Sequence, residues 1–390
     1  MRLALVFRRF GPRGGTERYA MQLAGWLAGR GHDVHLFASE VHASLLPAVT
    51  WHSVPTRGVS QTAKLLSFAL GARKVLGPQA REFDVVQAFG KTVGPHDVYR
   101  CGGGVHRRWR EAELLRRRGA ARLSRRVAYA LSPLQYAATW AEGHALADGA
   151  SAVVIAISQR VKDDVLDAYG GDPSRVRVMY NGVDTSHFHP GLRDELGIGF
   201  RRKLGIRDGA CLWLHVALNP MLKGADVAMR ALGEARRAGV DAMLVFVGRP
   251  GRRLADAARR LGVADAVRFA GVTQDARPAY AGADILVYPT RYDTFGNVIA
   301  EAMACGVPVV TSGEAGAAEI IADGVSGRVI ADPEDWRGFA DAAAALAEAG
   351  ARERVGLAAR VVAERHSLAA NVDAVEALYR EIAEAKRGRE

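Results

Sequence analysis

The chain has 390 residues, 49% of them apolar and 24% charged, and a formal charge of +11. That length exceeds the size at which one core keeps growing, so two domains of ordinary size are expected, and the apolar content excludes a disordered or collagen-like protein. Three scattered cysteines, Cys101, Cys211 and Cys305, exclude a disulfide scaffold or cysteine metal cluster and suit a reducing cytoplasm. The positive charge points to anionic partners: nucleotide diphosphates, phosphorylated saccharides, nucleic acid or an anionic lipid surface.

The opening run, residues 1–7, reads as a first strand, because it is too short for a signal peptide and Arg8 and Arg9 follow at once. Nowhere do 18 or more apolar residues run without charge, so any membrane contact is expected to be peripheral. After Gly14-Gly15, Thr16-Glu17 opens a helix with Tyr19, Leu23, Trp26 and Leu27 at helical spacing, and residues 33–38 alternate as a strand. Residues 1–38 therefore form a β-loop-α-β unit of a parallel sheet, and strands at 51–54, 85–88, 153–156 and 176–180 extend it into a doubly wound half. Between Arg107 and Arg126, nine arginines face only Glu111 and Glu113, interleaved with Trp109, Leu114, Leu115, Leu123, Val127, Tyr129 and Leu131. Such a basic helix lies on an anionic leaflet or is simply a solvated face; no nucleic-acid motif accompanies it.

Residues 181–208, rich in Gly, Pro, His and charge, read as a hinge. A second α/β alternation follows: strands at 211–216, 243–247, 267–270, 285–288 and 309–311, helices at 225–238, 254–261 and 297–304. A closing helix, residues 369–386, carries Val372, Val375, Leu378 and Ile382 on one face, which must pack on something.

Two places carry chemistry. Gly14-Gly15 separates the first strand from the first helix, where free N–H groups suit an anion, although such a pair also serves as a plain tight turn. No Gly-x-Gly-x-x-Gly is present, which argues against NAD as a ligand. In the stretch 288–312, a strand end, a loop with Gly296 and a helix start bring Asp293 and, eight residues on, Glu301 to one side of the chain. The two carboxylates can take hydroxyls of one extended ligand; the alternative for Glu301 is a local cap or ion pair.

The stretch Asp293-Thr294-Phe295-Gly296-Asn297-Val298-Ile299-Ala300-Glu301, followed by Ala304-Cys305-Gly306-Val307-Pro308-Val309-Val310-Thr311-Ser312, resembles the E-x7-E segment of family 4 glycosyltransferases. Gly14-Gly15, Ile157-Ser158, Tyr180-Asn181-Gly182-Val183-Asp184, Lys223-Gly224 and Gly313-Glu314-Ala315-Gly316 agree in the same order, so the resemblance covers essentially the whole chain. Residues 97–106 look most like the lipopolysaccharide core glucosyltransferases.

The resemblance implies the GT-B fold: two Rossmann-like doubly wound parallel-sheet domains with a cleft between them, the acceptor-binding domain at 1–182, the nucleotide-sugar-binding domain at 183–368, and the helix 369–390 packing back on the first. It implies a retaining, metal-independent transfer of a hexose, UDP-glucose favoured, to a saccharide or glycolipid in lipopolysaccharide core or other cell-surface glycan synthesis. The protein would be cytoplasmic, peripheral on the inner leaflet, with no cofactor and no metal ligand; the chain lacks Asp-x-Asp. Carried over, Lys223 pairs with the donor diphosphate, Glu301 with the ribose and Asp293 with the transferred sugar. Backbone groups of Phe295, Gly296, Asn297 and Val298, with Gly14 and Gly15, hold sugar or phosphate oxygens, and Val272 lies near the base. His106, at a strand-to-helix turn, is the candidate for contact with the transferring sugar; the alternative is a surface histidine on a basic loop.

Two departures stand out. Asp293 occupies a position where the family has glutamate, which shortens the arm by about 1.5 Å. The arginine that accompanies the lysine in many members is missing between Ala217 and Leu222, leaving Arg249, Arg252 or Arg253 to supply a second cation. Rival readings are a sugar-nucleotide epimerase or phosphorylase on the same fold, or a non-catalytic anion- or lipid-binding protein.

Overall fold

In a computed structural model, all residues except Arg13, Arg116, Arg118, Asp148, Ala150, Pro250, Arg389 and Glu390 are described. Two compact units emerge: Met1–Tyr180 together with Asn371–Glu390, and Asn181–Ala370. The unit boundaries thus fall at 180/181 and 370/371, beside the 182/183 and 368/369 read from the sequence.

The first unit is built on strands β1 (Arg2–Val6), β2 (Asp33–Ala38), β3 (Thr50–Ser53), β4 (Val85–Phe89), β5 (Val98–Cys101), β6 (Val153–Ala156) and β7 (Val176–Val178), ordered β3-β2-β1-β4-β5-β6-β7. Every pairing is parallel. The second unit holds β8 (Cys211–Ala217), β9 (Ala242–Gly248), β10 (Val267–Gly271), β11 (Ile285–Tyr288), β12 (Val309–Ser312) and β13 (Arg328–Ile330), ordered β10-β9-β8-β11-β12-β13, also all parallel. Central strands such as β4 and β11 are buried along their whole length, as expected of parallel strands covered by helices on both faces. The helix Ala225–Arg237 buries Val227, Ala228, Met229, Ala231, Leu232 and Ala235, each large side chain worth about 1.5–3 kcal/mol of burial.

Three features depart from the sequence reading. Strand β5 breaks the apolar pattern because a charged residue, Arg100, sits inside it; the guanidinium is buried with its Cζ 3.9 Å from the centre of the Tyr19 ring. The segment 181–208 is not a bare hinge: it carries the helix Ile198–Lys203, buries Phe188 and Leu192, and ties Arg193 and Arg201 to the buried carboxylate of Asp284. The basic stretch is two helices, His106–Leu115 and Gly119–Ala130, rather than one, and its Arg116 and Arg118 lie outside the described residues.

The closing helix runs Leu368–Arg387 and buries Val372, Val375, Leu378 and Ile382. From Asn371 onward it belongs to the first unit, where Tyr379 donates to Gln87 (2.8 Å), Lys386 pairs with Asp97 (3.0 Å) and Tyr19 donates to Asn371 (2.8 Å). No helix among the described residues is long and apolar enough to cross a membrane.

Candidate active site

In an open parallel sheet, the loops leaving the strand ends diverge where the strand order reverses, and the crevice that opens there takes ligands. In the second unit the reversal lies between β8 and β11. Lys223 follows β8 and Asp293 follows β11, and the structure brings them together. The ammonium donates to Asp293 Oδ2 at 2.6 Å and to the Tyr292 carbonyl at 2.8 Å. Tyr288 adds its hydroxyl to the same carboxylate oxygen (2.8 Å); burial, first, and the Asp293 charge hold its phenol well above its usual pKa, so it remains a donor.

The turn carrying Lys223 ends at Gly224, whose φ of 75° and whose position leave no room for a side chain: a Cβ there would lie 1.9 Å from the Pro289 carbonyl oxygen. Gly296, with φ of 93°, precedes the helix Asn297–Ala304, whose first N–H groups lack intrahelical partners. Asn181, read from sequence as part of a hinge turn, donates to the Asn297 side chain at 2.8 Å and so braces that helix start. The loop after β12 closes the other side, with Asp293 N–H donating to Glu314 O (3.0 Å) and Ala317 N–H to Phe295 O (2.6 Å).

Glu301 is buried in the same helix and accepts from the Tyr280 hydroxyl at 2.7 Å. A local partner and a ligand role therefore coexist, since a carboxylate has lone pairs for both. Arg249 and Val272 stand exposed on the turns after β9 and β10, at the same strand-end edge of the sheet. Close by, His215 on β8 is fully buried, with Nδ1 3.0 Å from Val287 O; burial pushes its pKa down to about 4.

The first unit has its own reversal, between β1 and β4. Gly14, with φ of 83°, caps the helix Gly15–Gly29 directly after this edge. A Cβ on Gly102 would lie 3.3 Å from Thr16 Oγ1, so the Gly14-Gly15 turn abuts the turn that leads from β5 to His106.

His106 begins its helix as expected, but it is not a free surface histidine. Lys91 Nζ lies 3.1 Å from its Nδ1, Gln135 Oε1 lies 2.6 Å from its Nε2, and Trp109 stacks on the ring. An ammonium has only protons to give, so Nδ1 accepts and Nε2 carries the hydrogen. Burial, first, and the Lys91 charge push the ring's pKa down to about 4. The His106 N–H caps against both oxygens of the buried Glu142 (2.9 and 3.1 Å), which also accepts from Tyr169 (2.8 Å). Lys91, Gln135, Glu142 and Tyr169 were not singled out in the sequence. Only Lys91 carried a signal, standing after Gly90 at the end of β4. Among the described residues no three of His, Cys, Asp and Glu gather to hold a metal ion.

Residues 13–187 match the model described as Glycosyltransferase Family 4 and residues 212–349 that of Glycosyl transferases group 1. Over 95% of its length the chain is 30% identical to the D-inositol 3-phosphate glycosyltransferase of Acidothermus cellulolyticus, of which it covers 86%. The chain belongs to glycosyltransferase family 4. Its fold is that of WaaG, a glycosyltransferase involved in lipopolysaccharide biosynthesis, with a TM-score of 0.76 at 24% identity over 96% of this chain and 98% of WaaG. It is also that of Anabaena HepE in complex with UDP-glucose, with a TM-score of 0.70 at 20% identity and full coverage of both chains. These likenesses identify the two units of this glycosyltransferase as the Rossmann-like halves of a GT-B fold.

Proposed function

We propose that the protein transfers a hexose, with retention and without a metal, from a nucleotide-diphosphate sugar to a saccharide or glycolipid acceptor. UDP-glucose is the favoured donor. The observation that carries this reading is the Lys223–Asp293–Tyr288 constellation at the β8/β11 reversal, beside the helix that holds Glu301. Breaking the anomeric C–O bond leaves negative charge on the diphosphate, and the Lys223 ammonium with the N–H groups at Phe295–Val298 are donors set to stabilise it. Asp293 addresses the sugar and Glu301 the ribose. The acceptor hydroxyl forms the new anomeric C–O bond from the leaving-group face and its proton passes to the departing phosphate oxygen, so no side-chain nucleophile is needed. From the first unit, Gly14-Gly15 holds donor phosphate or sugar oxygens and His106 contacts the transferring sugar. The reading without a metal is supported by the lack of an Asp-x-Asp sequence, and the donor by the UDP-glucose complex of HepE.

The acceptor has a second reading. The relative named for D-inositol 3-phosphate favours a phosphorylated polyol over a glycolipid. The decisive experiment incubates the protein with UDP-glucose and, in parallel, a truncated lipopolysaccharide core or inositol 3-phosphate, and follows free UDP. Release only with an acceptor present supports transfer and excludes an epimerase; Lys223→Ala is expected to lower kcat/KM by about 100-fold or more. A Lys223→Ala variant that turns over like wild type removes the site assignment.

We further propose that the protein is cytoplasmic and rests on the inner leaflet through its basic stretch. Leu123 and Val127 on one helix, with Leu131 just beyond it, are 64%, 49% and 75% exposed at a four-residue spacing, with Arg122 and Arg126 exposed beside them. Arg107 and Arg108 are already paired with Glu111 and Asp167 and contribute less. Wild type is expected to float with vesicles containing anionic lipid at low salt, and Leu123→Glu to lose most of that binding. Equal flotation of both sinks the idea.

A further inference from the structure

The missing family arginine leaves Lys223 as the one cation that touches Asp293 among the bonds of the described residues, so what holds Lys223 in place matters more here. Its loop, Met221–Gly224, is gripped from the β11 side by a residue the sequence reading passed over. Arg291 N–H donates to Leu222 O at 3.0 Å, and its guanidinium donates to Met221 O at 2.6 Å. The carbonyls of both residues before Lys223 are therefore held by one arginine. The same guanidinium takes both oxygens of Asp226, in the first turn of the following helix, at 2.9 Å each, and pairs with Glu334 as well. Gly224 lies flat against the Pro289 carbonyl, so the two loops meet without a gap that another side chain fills.

We infer that Arg291 is a positioning residue that fixes the Lys223 loop against the Asp293 loop and thereby keeps the ammonium at the donor diphosphate. The inference rests on the proposed function. Its physical basis is a difference between the two cations. Lys223 itself bonds the second loop through Asp293 and the Tyr292 carbonyl, and a diphosphate that draws the ammonium away breaks those bonds. The Arg291 bonds remain, because none of them uses Lys223. Arg291 is not the missing second cation: its side chain is 11% exposed and two carboxylates already neutralise it. A bidentate guanidinium also does what a lysine cannot, spanning a carbonyl and a carboxylate in one plane.

The test is a double-mutant cycle on the full chain, read by calorimetric binding of UDP, GDP and ADP and of the matching nucleosides. In the background of wild type, Arg291→Gln is expected to weaken the preferred diphosphate about tenfold and to leave its nucleoside within about twofold. In the background of Lys223→Ala, the same substitution is expected to change diphosphate binding by less than about twofold, since there is no ammonium left to position. Arg291→Lys should recover only part of the loss. Should Arg291→Gln lose its thermal transition, Asp226→Asn takes its place; it frees one anchor of the guanidinium and is expected to follow the same pattern at about threefold. Equal losses in both backgrounds, or a loss shared by the nucleoside, overturn the inference. A wild type that binds none of the three diphosphates defeats the proposed function instead, and the two failures are thus told apart.

Discussion

The two strand-order reversals of this molecule are chemical opposites. At the reversal of the second unit a charged pair, Lys223 and Asp293, sits 2.6 Å apart, its charges satisfied by one another until a ligand arrives. At the reversal of the first unit a cation, Lys91, faces a ring rather than a carboxylate, and the ring is held neutral, its hydrogen on Nε2. One kind of strand-order reversal thus carries a charged ion pair in one unit and a neutral, hydrogen-bonded ring in the other. On the proposed reading, an anionic leaving group draws on the Lys223 ammonium and replaces its partner carboxylate. On the same reading, the transferring sugar meets fixed hydrogen-bond polarity in the locked His106 tautomer.

The sharpest way to break this contrast is Lys91→Met. Without the ammonium, the His106 pKa is expected to climb from about 4 part of the way toward 6.5, since burial remains, while Gln135 Oε1 still holds the hydrogen on Nε2. The acid limb of the kcat/KM profile should then move to higher pH, with little loss at about pH 7, where a ring of pKa below 6.5 is still mostly neutral. An unmoved acid limb means that His106 takes no part in transfer.

A smaller effect sharpens the comparison through stability. His106 in the first unit and His215 in the second both titrate near pH 4 when folded, below their ordinary value of 6.5. The unfolded chain therefore binds protons first as pH falls, so the stability each contributes is complete above pH 6.5 and declines toward pH 4. The decline is about 1.4 kcal/mol per pH unit for the fully buried His215 and smaller for the half-buried His106, which solvent screens. Chemical denaturation of His215→Leu across pH 7 to 4.5 should show a shallower fall than wild type, whatever its offset at neutral pH. Parallel curves would mean that His215 is hydrated in solution.

Burial governs which substitution at Glu301 is informative. A change to Ala removes the carboxylate that accepts from the buried Tyr280 hydroxyl, at about 1–3 kcal/mol, so loss of activity in that variant mixes binding with stability. Glu301→Gln keeps an acceptor for the hydroxyl and removes only the charge.

Much of the fold was legible because apolar period and loop chemistry are local. The strands β6 and β11 and the helix Asn297–Ala304 fall where the pattern of Val, Ile and Ala put them. Gly296 could be read for the same reason, since a loop that must turn back on a helix start at positive φ selects glycine. Strand β5 could not, because the cation that makes it look polar is masked by an aromatic ring 81 residues earlier in the chain, Arg100 by Tyr19.

Sequence by itself determined the family, the alternation of elements and the residue types at both strand-end edges, all of which are written in spacing and order along the chain. Tertiary structure decided which of those residues meet: Lys223 with Asp293 across 70 positions, Arg291 with Asp226 across 65, Lys91 with His106 across 15. The reason is that a hydrogen bond depends on distance in space, and spacing along the chain says nothing of it until the sheets have set the order of their strands.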